Sequence, residues 1–156
     1  MAQGRGPNLS PRIENRRAWH DYHIEAKLEC GMSLVGSEVK SLRLGKASLQ
    51  EAFARVESGQ LILHALHIDP YDKAGGENHD PRRDRRLLAH RREIRRLETA
   101  TRPKGVTLIP LAIYFKNGVA KVELGVARGK QQHDKRQAIR KREQERELRR
   151  MTSRRG

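Results

Sequence analysis

The sequence predicts a mainly β fold, in which short antiparallel strands form a small closed barrel that carries a basic tail. Three observations support this prediction. Apolar and polar residues alternate over 22–30 and again over 119–127, with the period of two that half-buried strands show. The dipeptides Ser58-Gly59 and Asn117-Gly118 separate pairs of such runs, as hairpin turns do. Beyond Gly129 the apolar residues almost disappear, and Lys, Arg and Glu dominate.

The charge of the chain indicates a polyanionic partner. Its 156 residues fit one domain with tails, and 34 Lys and Arg against 19 Asp and Glu give a net charge of +15. Residues 128–156 alone hold 12 bases and 4 acids, a net of +8. Such a field attracts polyanions and speeds encounter with them. We therefore favour nucleic acid as the partner over an anionic membrane surface or an acidic protein.

The remaining composition narrows the class of protein. A single cysteine, Cys30, excludes an internal disulfide and a zinc site built from cysteines. The first residues lack the apolar core of a secretory signal, and no run approaches the ~18 apolar residues that a membrane span needs. We expect a soluble, cytoplasmic protein with no membrane partner.

The first strands follow a polar start. Residues 1–12 are rich in Gly and Pro and should be a disordered lead-in, after which the chain approaches the first strand. The alternation from Tyr22 to Cys30 predicts a half-buried strand. Gly31 interrupts this strand, and a second strand is expected over 32–35.

A short helix and a hairpin come next. Ser37 can cap a helix over about 38–44. The charged side chains of this helix should be exposed, namely Glu38, Lys40 and Arg43. The runs 52–57 and 60–68 then form the hairpin around Ser58-Gly59.

A loop, a helix and a second hairpin complete the body. The segment 69–86 is rich in Gly, Pro, Asn and Asp, which predicts a long loop. The runs 106–115 and 119–127 predict a hairpin around Asn117-Gly118, in which Pro110 must lie at an edge or a bulge because it cannot donate to a ladder. A helix over about 90–100 should precede that hairpin, with an apolar stripe formed by Leu87, Leu88, Ile94 and Leu97.

These elements amount to about six strands with two or three short helices. Short antiparallel strands joined by hairpins favour a barrel of the oligonucleotide-binding type, with a small sandwich as the alternative. The domain boundaries follow: a disordered N-terminus at 1–12, a β-barrel domain at 13–128 and a basic tail at 129–156. The tail consists of good helix formers with little that is apolar. It should be disordered in the free protein and helical on a polyanionic surface.

The sequence gives little support for catalysis. The pairs His20/His23 and His64/His67 have a spacing that puts the two rings on opposite faces of a strand, so neither pair should hold a metal. The sequence also contains no nucleophile elbow, phosphate-binding loop or dinucleotide fingerprint. We expect a protein that is not an enzyme and has no cofactor.

RNA binding is the sharper hypothesis. The chain has only six aromatic residues, several of which the core requires, so folded RNA should be recognised by shape and phosphate contact. From Arg82 to Arg96 there are eight arginines against Asp84 and Glu93, more than solubility requires. The alternative interpretation of this run is a solvated helix face. Composition alone fits a ribosomal or rRNA-binding assembly protein nearly as well.

A series of motifs narrows this choice. In order they are Asn15-Arg16-Arg17-Ala18, His20-Asp21-Tyr22, Gly36 to Arg43, Gly45-Lys46-Ala47, His67 to Pro70, Asp80-Pro81-Arg82, Leu87-Leu88, Tyr114 to Gly118, Lys121-Val122, Ala127 to Lys130, and His133 to Arg136. With these motifs the chain resembles the small protein B family, bacterial proteins that bind transfer-messenger RNA in trans-translation.

The resemblance implies an oligonucleotide-binding-type barrel that clasps the tRNA-like part of transfer-messenger RNA. The tail would enter the small ribosomal subunit at the decoding centre and the empty mRNA channel of a stalled ribosome. The partners implied are this RNA and the ribosome. Elongation factor Tu and alanyl-tRNA synthetase would act indirectly, through the RNA.

The resemblance also implies functional residues. Glu29 and Leu88 match residues with RNA-binding roles, and His90 stands where some members have an RNA-binding Asn. The RNA-binding set is His20, Tyr22, Glu29, Lys40, Arg43, Lys46, Leu88, His90 and Lys121. In the tail, His133 matches a residue that stacks on a ribosomal base, and Gln131 replaces a frequent Lys. The ribosome-binding set is Lys130, His133, Asp134, Lys135, Arg136, Arg140, Lys141, Leu148 and Met151.

Overall fold

The protein is described by a computed structural model that covers residues 11–130 and 132–155, with the side chains of 132–138 and 153–155 outside the description. The predicted disorder covers residues 1–12, and of these residues 1–10 lie outside the described part.

The described chain contains nine strands and four helices. The strands are β1 (Ile13–Glu14), β2 (Tyr22–Met32), β3 (Ala47–Ser48), β4 (Phe53–Glu57), β5 (Gln60–His64), β6 (His67–Ile68), β7 (Arg85–Leu88), β8 (Val106–Lys116) and β9 (Val119–Gly129). The helices are α1 (Arg16–Asp21), α2 (Gly36–Arg43), α3 (Arg91–Ala100) and α4 (Gln132–Arg155), and a 3-10 turn covers Gly75–Glu77. None of the described helices is long and apolar enough to cross a membrane.

Six of the strands form a ring of antiparallel pairings in the order β8-β4-β5-β7-β2-β9, and β9 pairs again with β8. The shortest pairing of the ring joins β4 and β8, through the single pair Ala54 and Leu108. β1 adds to β8, and β3 pairs with β6 in a separate ribbon. The predicted mainly β fold of about six barrel strands with short helices is confirmed.

The main core fills the inside of this ring. Apolar residues at alternate strand positions point inward, as the period of two requires. α2 contributes Leu42 and α3 contributes Leu97, so each of these helices covers part of the core. The most deeply buried aliphatic side chains are Leu42, Leu61, Leu63, Leu66, Ile68, Leu87, Leu108, Ile113, Val122 and Leu124.

A second, smaller core lies on the opposite face of β8 and β9. There Ala18 of α1 packs with Ile109, Leu111 and Ala127, which alternate with the inward-facing positions. A Cβ at Gly125 would lie 3.0 Å from Leu111 Cδ1, so a side chain at this position would require Leu111 to shift. This outer core holds α1 against the barrel.

The expected irregularity at Pro110 is confirmed. The register of β8 against β9 shifts between Pro110 and Ala112, which is the signature of a β-bulge. Asn15 stabilises the bulge, because its Nδ2 donates to the Pro110 carbonyl at 3.0 Å. The same side chain also caps α1, accepting from the Ala18 N–H at 3.3 Å. Position 15 thus joins the first helix to the bulge.

Several predicted elements differ from the structure. No separate strand occupies 32–35; instead β2 runs through Gly31 and ends at Met32, since Gly31 fits against Leu88 of β7. Leu87 and Leu88 belong to β7 rather than to the stripe of α3. The segment 16–21 is helical, whereas the sequence suggested only an approach to a strand. Local propensity did not reveal these features because they depend on contacts between distant segments.

The prediction that Glu38 is exposed is wrong. Its carboxylate has no solvent exposure and contacts two arginines. Arg85, also fully buried, places a guanidinium nitrogen 2.6 Å from Glu38 Oε2, and the Arg83 Nε donates to the same oxygen at 3.0 Å. The Val35 N–H donates to Oε1 at 3.0 Å. This network ties α2 to the strand that closes the ring.

The tail forms one helix in the structure, α4, which contacts α1. Helix formation on the ribosome and disorder in the free protein both stay predictions.

Candidate nucleic-acid interface

Outward-facing residues of the four neighbouring strands β7, β2, β9 and β8 form a surface that we call the outer row. Its members are Leu88, Gly31, Glu29, Lys121 and Tyr114. Leu88 of β7 lies opposite Gly31 of β2, Gly31 lies opposite Lys121 of β9, and Lys121 lies opposite Tyr114 of β8. Directly paired residues share a face of the sheet. Glu29 lies two residues before Gly31 and therefore on that same face. The ring thus brings together Glu29, Leu88 and Lys121, three predicted RNA-binding residues that are far apart in sequence.

Glu29 is held as a charged acceptor. Its Oε2 accepts a hydrogen bond from the Tyr114 hydroxyl, and Lys116 Nζ lies 3.5 Å from Oε1. The Tyr114 hydrogen bond, supported by the charges of Lys116 and Lys121, holds the pKa of this carboxyl below its usual range despite some desolvation. Burial and the neighbouring Glu29 raise the pKa of Tyr114 to about 12, so its hydroxyl stays a donor.

Leu88 is an apolar side chain presented to solvent, with half of its surface exposed. Gly31 makes this possible, because a Cβ there would lie 3.3 Å from Leu88 Cβ. His90, two residues further on, is also exposed and precedes the first turn of α3. Its N–H donates to Glu93 Oε1 at 3.0 Å, which fixes the start of that helix.

The predicted residues of α2 and the following turn form another group. Lys40 places its Nζ 5.4 Å from the centre of the Tyr71 ring, and the Arg43 guanidinium lies 4.4 Å from the centre of the Phe115 ring. Lys46 is exposed, and its carbonyl accepts from the Asp69 N–H at 3.0 Å. These three cations are exposed at the surface, and aromatic rings lie beside two of them.

The third group surrounds α1. His20 Nδ1 lies 2.8 Å from Asp21 Oδ1, and Tyr22 is half-buried against the outer core. Lys130, assigned from sequence to the tail, contacts this helix: its N–H donates to the Asp21 carbonyl at 2.9 Å and its Nζ to the Trp19 carbonyl at 3.2 Å. Lys130 therefore attaches the start of the tail to α1 of the barrel domain.

The remaining tail residues lie on α4. The side chains of His133, Asp134, Lys135 and Arg136 are outside the described part. The other four predicted tail residues are exposed: Arg140, Lys141, Leu148 and Met151. The two apolar ones, Leu148 and Met151, have 62% and 63% of their surface accessible to solvent. Two such apolar residues three positions apart lie on one side of a helix. They form a small apolar patch on the charged helix α4.

Some residues of these surfaces escaped sequence analysis. Tyr114 was not among the predicted RNA-binding residues, yet its hydroxyl contacts Glu29 and the Arg12 guanidinium lies 4.8 Å from its ring centre. Trp19 is 48% exposed, with Lys27 Nζ 4.9 Å from its ring centre. Strand alternation could have placed Tyr114 on the outer face with Lys116 and apart from Phe115. No comparable signal exists for Trp19, because α1 itself was not predicted.

The described part of the chain offers little for covalent chemistry. No cluster of three or more His, Cys, Asp or Glu suited to a metal occurs among the described residues. Burial raises the pKa of the Cys30 thiol to about 12, so this cysteine is not a thiolate at neutral pH. What the surface provides is a fixed carboxylate, exposed cations and apolar contacts, which are the elements of a binding site.

The fold and this surface define a class: a small β-barrel protein with a basic binding face and a helical basic tail. Within that class, the chain belongs to the SmpB protein family, whose model matches residues 12–154. The family consists of RNA-binding proteins and not of enzymes, which confirms the expectation on catalysis. The match spans both the barrel and α4.

Known relatives agree with this assignment. The chain is 56% identical over 135 residues to the SsrA-binding protein of Pelotomaculum thermopropionicum, covering 86% of this chain and 88% of that one. It is 51% identical over 153 residues to the SsrA-binding protein of Thermobifida fusca, covering 98% and 94%. A solved structure described as "tmRNA-SmpB: a journey to the center of the bacterial ribosome" matches with a TM-score of 0.69 and 51% identity, covering 84% of this chain and 96% of that chain.

Proposed function

We propose that this protein binds the tRNA-like domain of transfer-messenger RNA and delivers that RNA to stalled ribosomes in trans-translation. The observation that carries the proposal is membership of the SmpB family along the barrel and the tail together. The relatives' name, SsrA-binding protein, and the matching structure of tmRNA with SmpB support the choice of RNA. A role on the ribosome would place the protein in the cytoplasm.

The outer row suits a folded RNA. The Glu29 carboxylate can accept hydrogen bonds from RNA base amino groups or 2′-hydroxyls, and Lys121 can neutralise a phosphate. Leu88 offers an apolar contact to an exposed base. Because few aromatic rings are exposed, the surface reads the shape and backbone of the RNA more than a series of stacked bases.

The tail has a separate task in this proposal. α4 would enter the decoding centre and the empty mRNA channel, where Arg140 and Lys141 contact rRNA phosphates and Leu148 and Met151 make apolar contacts. His133 would stack on a ribosomal base, with Asp134, Lys135 and Arg136 beside it. Elongation factor Tu and alanyl-tRNA synthetase would then act on the alanine-charged RNA and not on this protein.

The direct test is equilibrium binding of the full chain to transfer-messenger RNA and to an ordinary tRNA. We expect clearly tighter binding to transfer-messenger RNA, with an affinity that falls steeply as salt rises because several phosphates are neutralised. Equal affinity for the two RNAs at physiological salt would contradict the proposal.

A single substitution tests the role of the outer row. Glu29→Ala should weaken binding to transfer-messenger RNA by roughly 1.5–3 kcal/mol, the range for hydrogen bonds to charged groups. The control is Glu25→Ala, which removes an exposed carboxylate of the same strand paired with Arg128 at 2.8 Å and should bind normally. A gel shift with both variants decides the point, and equal losses would argue against a specific Glu29 contact.

A further inference from the structure

Helix α3 carries four arginines that the interface described so far does not use. Arg91, Arg92, Arg95 and Arg96 stand at spacings of one, three and four, which place them on one side of the helix. Leu97 is buried on the other side, and Ile94 packs against the main core. The arginine face, as we name these four residues, is therefore turned away from the barrel.

The arginine face differs from the first three arginines of the run. Arg83 and Arg85 are bound by the buried Glu38, and Arg82 pairs with Glu51 at 3.4 Å. Across the described residues, by contrast, no ion pair or hydrogen bond involves a guanidinium of the arginine face. Of the eight arginines in the run, five therefore have no carboxylate partner there: the four of the arginine face and Arg86 of β7.

The arrangement opposes the stability of the helix itself. Arg91 and Arg92 occupy the first turn, where the positive end of the helix dipole repels cations, and no base stands in the last turn, where one would be favourable. The pairs Arg91–Arg95 and Arg92–Arg96 have like charges four residues apart, which also destabilises a helix. A surface that serves only solubility would not concentrate cations in this way, and a bound polyanion would relieve both repulsions.

The side-chain type of the arginine face indicates the class of polyanion that would bind there. All four bases are arginines, whose planar guanidinium forms two parallel hydrogen bonds to a phosphate. Their spacing over two turns of helix presents a line of cations, as the backbone of a folded RNA presents a line of phosphates. The helix also begins directly after Leu88 and His90, so the arginine face continues the outer row.

We propose that the arginine face is a backbone-docking surface for the same RNA, which extends the outer row by several phosphate contacts. This inference rests on the proposed function, because it assumes that transfer-messenger RNA is bound at the barrel. The face positions the RNA through its phosphates, while the outer row supplies the contacts to bases and sugars.

The test compares two variants of the full chain that lose equal charge. One replaces Arg91, Arg92, Arg95 and Arg96 by Gln; the control replaces four α4 residues by Gln, namely Arg142, Arg146, Arg149 and Arg150. Binding to transfer-messenger RNA is measured over a range of salt concentrations. The α3 variant should lose at least about tenfold in affinity at physiological salt, and its log–log salt slope should shrink by about four. The α4 control should keep its affinity within about twofold.

Two other outcomes of this experiment would contradict a role of the arginine face in RNA binding. Equal losses in both variants would show that net charge alone matters, and an unchanged α3 variant would show a face without an RNA contact; either result overturns the inference. If the unsubstituted chain does not bind transfer-messenger RNA, the proposed function itself fails. That failure is therefore distinguishable from failure of the arginine face alone.

A second measurement removes any dependence on the folding of the variant. A photo-crosslinking residue in place of Arg95 should form a covalent adduct with bound transfer-messenger RNA, whereas the same residue in place of Arg149 should not. A position 95 variant that binds RNA with normal affinity but gives no adduct would overturn the inference. Thermal unfolding of the glutamine variant should give a Tm at or above that of the parent chain, because its helix loses internal repulsion.

Discussion

Glu38 and Arg85 show how much of this fold depends on two buried charges. Both side chains are fully buried, and the pair bridges α2 and β7, which are separated by more than 40 residues of sequence. Burial opposes ionisation of Glu38, but hydrogen bonds from Arg83, the Val35 N–H and Arg85 outweigh it and hold its pKa below the usual range. A buried pair of this kind is costly to break: without Glu38, the buried Arg85 loses the carboxylate that it contacts.

Glu38→Gln should therefore destabilise the protein by about 3–5 kcal/mol. Urea unfolding measures the loss. The matched control is Glu51→Gln, which removes an exposed carboxylate with 73% of its side chain accessible and should change stability by no more than about 0.5 kcal/mol. Similar small effects for both variants would contradict the structural role of Glu38.

The lowered pKa of Glu38 also predicts a pH dependence. Its stabilising effect is complete above the pKa of an unfolded glutamate and is lost as the pH falls through the lower pKa of the folded state. Stability should thus fall on acidification through and below the usual glutamate range. The Glu38→Gln variant should show a flatter acid limb in a series of urea titrations, and parallel acid limbs would argue against this linkage.

Tyr114 sets the charge state of Glu29. Because the Tyr114 hydroxyl is the main cause of the lowered Glu29 pKa, Tyr114→Phe should move that pKa upward, toward the ordinary value. A titration of the Glu29 carboxyl by NMR measures the shift. Tyr71→Phe, which alters a ring beside Lys40 and not beside Glu29, should leave the midpoint in place. An unmoved midpoint in Tyr114→Phe would show that the hydrogen bond has little influence.

Sequence reasoning found part of the candidate site and missed the rest for a physical reason. Glu29, Leu88 and Lys121 were assigned through the resemblance, and the structure places them on one face. Glu38 was assigned to the surface because its charge suggests exposure, and nothing local shows that its partners are Arg83 and Arg85. A buried ion pair between distant segments leaves no mark on the periodicity of either.

At the scale of elements, the hairpin and helix that depend on neighbouring residues could be predicted from the sequence. The pairing that closes the strand ring could not. The β8–β9 hairpin and α3 follow from a turn dipeptide and an apolar stripe, which are properties of neighbouring residues. The ring instead closes through β7. Its first two residues were expected in the loop 69–86, and its last two, Leu87 and Leu88, in the stripe of α3. α1 is likewise stabilised mainly by the outer core rather than by its own six residues.

The outer core gives a prediction at this scale. Gly125→Ala would place a Cβ 3.0 Å from Leu111 Cδ1 and 3.1 Å from Ile24 Cγ2, and this overpacking should cost about 1–3 kcal/mol. Gly129→Ala, in the same strand, meets no atom within 4 Å and should be neutral or stabilising by about 0.4–1 kcal/mol. Urea unfolding of both variants gives the comparison. Equal stability of the two would mean that the contacts around Gly125 are loose.

At the scale of the whole molecule, the proposed function assigns different partners to the barrel and to the basic tail. The outer row lies on the barrel. Residues 128–156, most of which form the tail, supply +8 of the net charge of +15. Lys130 fixes the point where they meet, through the carbonyls of Trp19 and Asp21. RNA binding should therefore survive the loss of the tail, while the action on the ribosome should not.

The most direct measurement is peptide tagging on ribosomes stalled at the end of a truncated message, with RNA affinity determined in parallel. A chain that ends at Asp134 should bind transfer-messenger RNA within about threefold of the full chain, because the outer row is intact and only screened charge is lost. It should support no tagging. Tagging at the normal level by this shortened chain, or loss of RNA binding together with tagging, would contradict the division of labour between barrel and tail.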